Sequence, residues 1–315
     1  MASFDTVNYS LRPNKAIQRQ IVFDALELVD RVMPLRQSVY IGFGSVWFTD
    51  FVLAHRRLGI RDMISIENKP IGALRARFNA PFKTVKVEEG DSNDVLRTIA
   101  DDDALNRRQW VVWLDYDRAL SPEVLLDIGT VVTHAPPNSV LILTVNASAG
   151  SHGDNPRKRE AYVRNLLGPS VSDSLTATDF GADAIVDTLA SSLRRYIAEQ
   201  AVQLGRPGGY VEGFRIPYRD GSPMLTVGGF LCAPGARSGV RTAIAEDHWP
   251  GMPRVPVAAP PLTMKEISAL QRLLPSDRPI TRAALRRAGF DLEDEQLSTF
   301  CEHYRRYPAF SQVVA

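Results

Sequence analysis

The chain has 315 residues, 44% hydrophobic and 23% charged, which suits one large folded domain plus a small one and excludes a disordered chain. Its 37 basic and 36 acidic residues leave a net charge of +1, so no global field draws it to nucleic acid or membrane and any anionic partner needs a local patch. No apolar run approaches the ~18 residues that cross a bilayer, and Asp5, Asn8 and Ser10 stand where a signal peptide needs an apolar core, so a cytoplasmic protein is expected.

In chain order, Pro13 opens a helix that carries Ile17, Ile21, Leu28, Val29 and Val32. Val39, Tyr40 and Ile41 form a short buried strand ending at Gly42, with a helix over 46–58. Met63 to Ile66 make a second strand ending at Glu67, followed by a helix with Ile71, Leu74 and Phe78 on one face. Thr84 to Val87 make a third strand running into Gly90 and Asp91, and 95–99 is helical. Trp110 to Leu114 are continuously apolar, as in a parallel strand covered on both faces, and Asp115 ends them. A helix over 122–132 leads to a fifth strand at 140–145. A polar loop and a long helix, opened by Asp179 and closed by Gly205, come next.

Strand-like runs at 210–218 and 223–232 then flank Asp220 and Gly221, a hairpin signal. Prolines between 234 and 261 mark a linker, and beyond it all signals are helical. The expected architecture is α/β, a doubly wound, mostly parallel sheet with a terminal antiparallel hairpin plus a small helical module. Its parts are residues 1–235, a proline-rich linker at 236–262 and a module at 263–315. Cys232 and Cys301 fall in apolar patterns and read as reduced thiols. The five histidines show no ligand pair at metal spacing, so no metal is expected.

Chemistry-bearing residues cluster at strand ends. Gly42, Gly44 and Ser45 separate the first strand from its helix, where a missing side chain admits a ligand to the backbone or simply permits a tight turn. Glu67 lies 25 residues after Gly42, where an acid accepts bonds from ribose hydroxyls or caps a helix. Asp91 and Ser92 can face an adenine or cap the next helix. Asp115, Tyr116 and Asp117 follow the most buried strand, and two carboxylates there are hard to justify as packing.

These positions and the terminal hairpin resemble the class I S-adenosylmethionine-dependent methyltransferases over residues 13–232. The resemblance implies that Gly42, Gly44 and Ser45 lie beside the methionine part of the cofactor. It implies further that Glu67 holds the ribose, that Asp91 and Ser92 hold the adenine, and that Asp115 and Tyr116 face the transferable methyl. The chain departs from the family pattern in having Val39 and Tyr40 where an acid often precedes the glycines, and Val46 or Trp47 in place of a third glycine. Trp47 can narrow the pocket or pack outward. The missing third glycine also ranks a nicotinamide cofactor well below S-adenosylmethionine.

The expected activity is methyl transfer from S-adenosylmethionine to a hydroxyl or amine of a small-molecule or nucleotide acceptor that can carry phosphate. Asp115 or Asp117 would take or orient the acceptor's proton. The alternative is a catalytically silent protein that holds S-adenosylmethionine or a nucleotide and regulates a partner. Tyr9, Arg12 and Lys15, with Arg19 beyond, form a basic string over the cofactor mouth that is read as substrate-binding or as a solvated helix face, and that marks a narrower bacterial family. A second basic group, His152, Arg157, Lys158, Arg159 and Arg164 beside Asn146, could hold phosphate. Nucleic acid is not the favoured acceptor, because aromatic interleaving is lacking. The C-terminal arginines Arg282, Arg286, Arg287, Arg305 and Arg306 could serve a DNA-reading helix pair, but packing on the parent domain, a second copy or an operon partner is preferred.

Overall fold

In the computed structural model, which describes residues 12–308, a helix α1 (Pro13–Asp30) precedes a run of alternating strands and helices. These are β1 (Val39–Gly42), α2 (Thr49–Leu58), β2 (Asp62–Glu67), α3 (Pro70–Asn79), β3 (Val85–Glu89), α4 (Ser92–Asp101), β4 (Trp110–Ala119), α5 (Pro122–His134) and β5 (Ser139–Asn146). Helices α6 (Pro156–Leu167) and α7 (Ile185–Gln203) return the chain to β6 (Tyr210–Asp220) and β7 (Ser222–Leu231). The strands form one sheet in the order β3-β2-β1-β4-β5-β7-β6. The first five pair in parallel, and β7 lies antiparallel between β5 and β6. This is the doubly wound sheet with a terminal hairpin that the alternation of signals predicts.

Side chains alternate across each strand, so every central strand feeds two cores. Val39, Ile41, Val112, Leu114, Leu141 and Leu143 pack beneath α4, α5 and α7. Tyr40, Val111, Trp113, Val140 and Ile142 pack beneath α1 and α2. The continuous apolar reading of β4 thus has its physical cause in helices on both faces. Among the described residues no helix is long and apolar enough to cross a membrane, and both cysteines are free thiols.

The structure differs from the sequence reading in five places. Ile71, Leu74 and Phe78, read as one apolar face of α3, are 74%, 65% and 90% exposed, while Gly72, Ala73 and Ala76 make the buried face. Small residues let this edge helix approach the sheet closely, and the large stripe turns outward. Asp115 does not end β4, which continues to Ala119. Its pairing with β5 jumps from Asp115–Thr144 to Ala119–Asn146, a bulge that re-aims the residues between.

The polar stretch after β5 contains α6, whose start is capped by Asn155 accepting from the Lys158 amide with Pro156 in the first turn. Asp179 caps a separate short turn with Thr176 and does not open α7. The proline-rich stretch read as a linker forms α8 (Pro234–Ala245) and an extended pass in which Val257 bridges Tyr218 of β6. Trp249, Val257 and Ala259 of that stretch are buried in the α1 side core.

Beyond it, α9 (Met264–Gln271), α10 (Arg282–Arg287) and α11 (Asp294–His303) enclose a small core of Leu270, Leu285, Leu297 and Phe300. The expected box of Thr263 and Glu266 caps α9. Arg306 joins this module to α1 by an ion pair with Asp24 at 2.5 Å.

Candidate functional site

Strands β1 and β4 are neighbours, but α2 packs on one face of the sheet and α5 on the other. The strand order therefore reverses between them, and a crevice opens at their carboxyl ends. A cavity of about 360 Å³ occupies it, within the range of ~300–1,000 Å³ typical of small-molecule sites. Gly44, Ser45, Glu67, Asp91, Ser92, Asp115, Tyr116, Asp117 and Lys15 line it. It thus gathers most of the residues singled out from the sequence.

The β1–α2 loop forms one wall. The Gly44 amide donates to Ser65 Oγ at 3.1 Å, and a Cβ at Gly44 would stand 2.5 Å from the Phe48 ring and 2.7 Å from Ser65 Oγ. Glycine is required here by packing behind the loop, whatever occupies the front. Ser45 adopts the left-handed conformation (φ 54°) and its buried Oγ has no partner among the described residues. Trp47 lines the cavity while remaining 41% exposed, a rim residue that leaves the interior open.

Glu67 ends β2, accepts a bond from the Lys69 amide at 3.2 Å and is overlain by Gly72, where a Cβ would come within 2.7 Å of its carboxylate. Asp91 is the residue before α4, yet its side chain makes no capping bond; its carboxylate faces solvent at the cavity edge. Ser92 instead donates to Asp127 of α5 at 2.5 Å, and the same carboxyl accepts from Tyr116 and Asn93. Burial raises the Asp127 pKa, and burial together with Asp127 pushes the Tyr116 phenol up, so the phenol stays protonated and donates. Asp127 is wholly buried and ties the ends of β3 and β4 to one anchor.

On the far side, Lys15 of α1 donates to Asp115 Oδ1 at 2.5 Å and to the Tyr218 hydroxyl at 3.1 Å. Its ammonium lies 5.9 Å and 5.3 Å from the Trp113 and Tyr218 ring centroids. Burial lowers the Lys15 pKa against the pull of Asp115. Arg19, one turn along α1, also lines the cavity and is 8% exposed. Asp50, at the start of α2, accepts from the Tyr40 hydroxyl at 2.6 Å; burial raises its pKa, with Arg19 opposing.

Several expected site residues stand elsewhere. Gly42 is the last residue of β1, where the sequence reading ended the strand, paired with Ser65 and Trp113, and it is not among the residues that line the cavity. Arg12 stands behind the wall, 2.9 Å from the carboxylate of Asp220, which does line the cavity. Tyr9 lies outside the described residues.

The second basic group is not assembled at the cavity. His152 bonds to Ser148 O, Arg159 donates to Gly153 O and Phe180 O, Arg164 to Glu160 and Leu175 O, and Lys158 pairs with Asp154. Arg282 and Arg286 of the C-terminal module both bind Asp291, Arg282 also reaches Glu293, and Arg306 pairs with Asp24, so these three arginines already have acidic partners. Among the described residues no group of three or more His, Cys, Asp or Glu side chains is placed to hold a metal ion.

Asp50, Tyr218, Asp220 and Asp127 were not legible as site residues, because each reaches the site through tertiary packing. Only the spacing of Arg19 from Lys15 pointed to the shared face of α1.

Among solved structures, Trm1 from Pyrococcus horikoshii with S-adenosyl-L-methionine is 14% identical with a TM-score of 0.48, over 72% of this chain and 58% of that one. The chain therefore spans little more than half the length of that protein. The O-methyltransferase from Bacillus cereus in complex with SAH is 14% identical with a TM-score of 0.39, over 72% of this chain and 86% of that one. No curated protein matches. Residues 7–315 match the family model described as "Putative O-methyltransferase", and with nearly its whole length matched this chain belongs to that family.

Proposed function

We propose that the protein transfers a methyl group from S-adenosylmethionine to a hydroxyl oxygen of a small acceptor. The observation that carries this reading is the single cavity into which four adjacent strand ends deliver Gly44 and Ser45, Glu67, Asp91 and Ser92, and Asp115. The residues fit the cofactor's chemistry. Asp91 heads a helix without capping it and so has acceptor capacity for an adenine amine, and Glu67, at the end of β2 on the cavity wall, is an acid of the kind that accepts from ribose hydroxyls.

When bound, the cofactor supplies an electrophilic methyl on a sulfonium; the acceptor oxygen bonds to that carbon as the carbon–sulfur bond breaks and its electron pair stays on sulfur. The protein has little covalent chemistry to perform, and holding the acceptor in line supplies most of the acceleration. Asp115 Oδ1 is held by Lys15, which leaves Oδ2 to accept the acceptor's hydroxyl proton. Lys15 is itself fixed by Tyr218. Asp220 and Met224 of the hairpin close the acceptor side of the cavity.

Calorimetric titration with S-adenosylmethionine, S-adenosylhomocysteine and NAD tests the reading. Micromolar binding of the first two alone is expected, and Glu67→Ala is expected to weaken it by ~1.5 kcal/mol or more through loss of charge-assisted bonds. Binding of NAD alone, or of none of the three, would overturn it.

A further inference from the structure

At the amino ends of the strands, a second cavity of about 220 Å³ is lined by Arg36, Gln37, Arg61, Asp62 and Arg108. Arg36 stands three residues before β1, Arg61 immediately before β2 and Arg108 two residues before β4. These three strands are adjacent and begin in register, Val39 pairing with both Asp62 and Trp110. Strands about 4.8 Å apart thus bring three cations from distant sequence positions into one cleft. The candidate methyl-transfer site opens at the carboxyl ends of the same strands and shares no lining residue with it.

The arginines differ in what they already hold. Arg108 is committed to the fold, since its Nε and Nη2 donate to Gln37 O at 3.2 and 2.9 Å and its Nη1 pairs with Asp62 at 2.8 Å. It takes up the one acid that lines the cleft. Among the described residues the guanidinium groups of Arg36 and Arg61 have no hydrogen-bond or ion-pair partner. Asp30, the acid nearest to Arg36 along the chain, accepts from the Leu35 amide at 2.6 Å. The stem of Arg36 lies over the α2–β2 turn, 3.5 Å from where a Cβ on Gly59 would stand, and the Arg61 carbonyl accepts from Thr84 Oγ1 at 2.5 Å. Both residues are therefore anchored while their charged ends stay uncommitted.

Three cations against one carboxylate leave the cleft positive. Gathering like charges around a concavity costs energy that a bound anion removes, and two planar guanidinium forks match the oxygens of a phosphate group. A polynucleotide needs a run of cations along its backbone, whereas this small cavity offers two uncommitted ones.

We infer that the cleft at the amino ends of β1, β2 and β4 binds the phosphate or diphosphate group of a small molecule, with Arg36 and Arg61 as its ligands and Arg108 as a fixed wall. This site is independent of the proposed methyl transfer, and its test does not involve the methyl donor.

The intact chain, the double variant Arg36→Gln with Arg61→Gln, and the single variant Arg36→Lys are titrated calorimetrically with pyrophosphate at fixed ionic strength, and in parallel with a single-stranded oligonucleotide. The parent protein is expected to bind pyrophosphate and the double variant to bind it at least roughly 10-fold more weakly. Arg36→Lys should fall between them, since it keeps the charge and gives up only the planar fork. Without ligand the double variant should melt no lower than the parent, because neither guanidinium has a protein partner to lose.

No binding of pyrophosphate by the parent, or equal binding by the parent and the double variant, would overturn the inference. A double variant that melts well below the parent without ligand would make the two arginines structural and overturn it as well. Capture of the oligonucleotide but not of pyrophosphate, lost in the double variant, would overturn it in favour of a nucleic-acid backbone.

Discussion

Lys15 and Asp115 form the pair on which the acceptor side of the cavity turns. Lys15 is almost fully buried while Asp115 keeps partial access, with side-chain exposures of 5% and 22%. Asp115→Asn strands the ammonium in a low-dielectric site and is expected to cost about 2 kcal/mol, less than a fully buried pair loses because Lys15 can release its proton. Burial already lowers the Lys15 pKa, so without Asp115 it should lose that proton nearer neutrality. The double variant Lys15→Met with Asp115→Leu should recover most of the lost stability and none of the turnover. Thermal unfolding of the two variants beside the parent protein, with a turnover assay, checks this. Equal melting of the single and double variants would show that the two side chains are not coupled.

Among the elements, α3 shows how a helix can serve a site through what it lacks. Its buried face is Gly72, Ala73 and Ala76, and Gly72 leaves room for the Glu67 carboxylate. Gly72→Ala adds a methyl 2.7 Å from that carboxylate and must displace it. Alanine is about 1 kcal/mol better than glycine inside a helix, so the ligand-free melting temperature should hold or rise. Affinity for S-adenosylhomocysteine should fall at the same time, and calorimetry beside melting reads both. Loss of stability with unchanged affinity would place Glu67 outside the ligand site. In β4, Asp115 and Asp117 stand two residues apart and so share a face of the strand, and both line the cavity; the register shift between Asp115 and Ala119 lets Tyr116 and Arg118, which a regular strand would turn to the other face, line it as well.

At the scale of the whole molecule, the C-terminal module is held to α1 through Asp24, which receives both Arg57 of α2 and Arg306. Tyr307 adds bonds to Pro260 O at 2.7 Å and from the Leu262 amide at 3.1 Å. His303, 1% exposed beside this junction, has its pKa lowered by burial, and by Arg306, to about 4 from an ordinary 6.5. Between those two values the unfolded chain binds the proton and the folded chain does not. Stability therefore falls as pH drops from 6.5 toward 4, by up to ~1.4 kcal/mol per unit. His303→Gln should flatten that part of the profile in thermal melts from pH 7 to 4.5, and an unchanged slope would assign the loss to other groups.

Residues 12–308 divide between what local pattern encodes and what only long-range contact decides. The alternation of strand and helix, the box at Thr263 and Glu266, the Asp-Gly hairpin and the acids at Glu67, Asp91 and Asp115 were legible because each depends on neighbours a few residues away. α6 was legible too, in Asn155 and Pro156, but the polar residues around it masked that start. The inward or outward choice of the α3 stripe was not, since helical spacing defines a face without saying which side meets the sheet.

Nor could the sequence bring Lys15 to Asp115 across 100 residues, Tyr218 to Lys15 across 203, or Asp127 to Tyr116 and Ser92. Those pairings depend on which strands become neighbours and on what each burial leaves without water. For the same reason Arg19 reads as one more surface cation in the sequence and becomes a buried residue at a cavity wall only once the chain has folded.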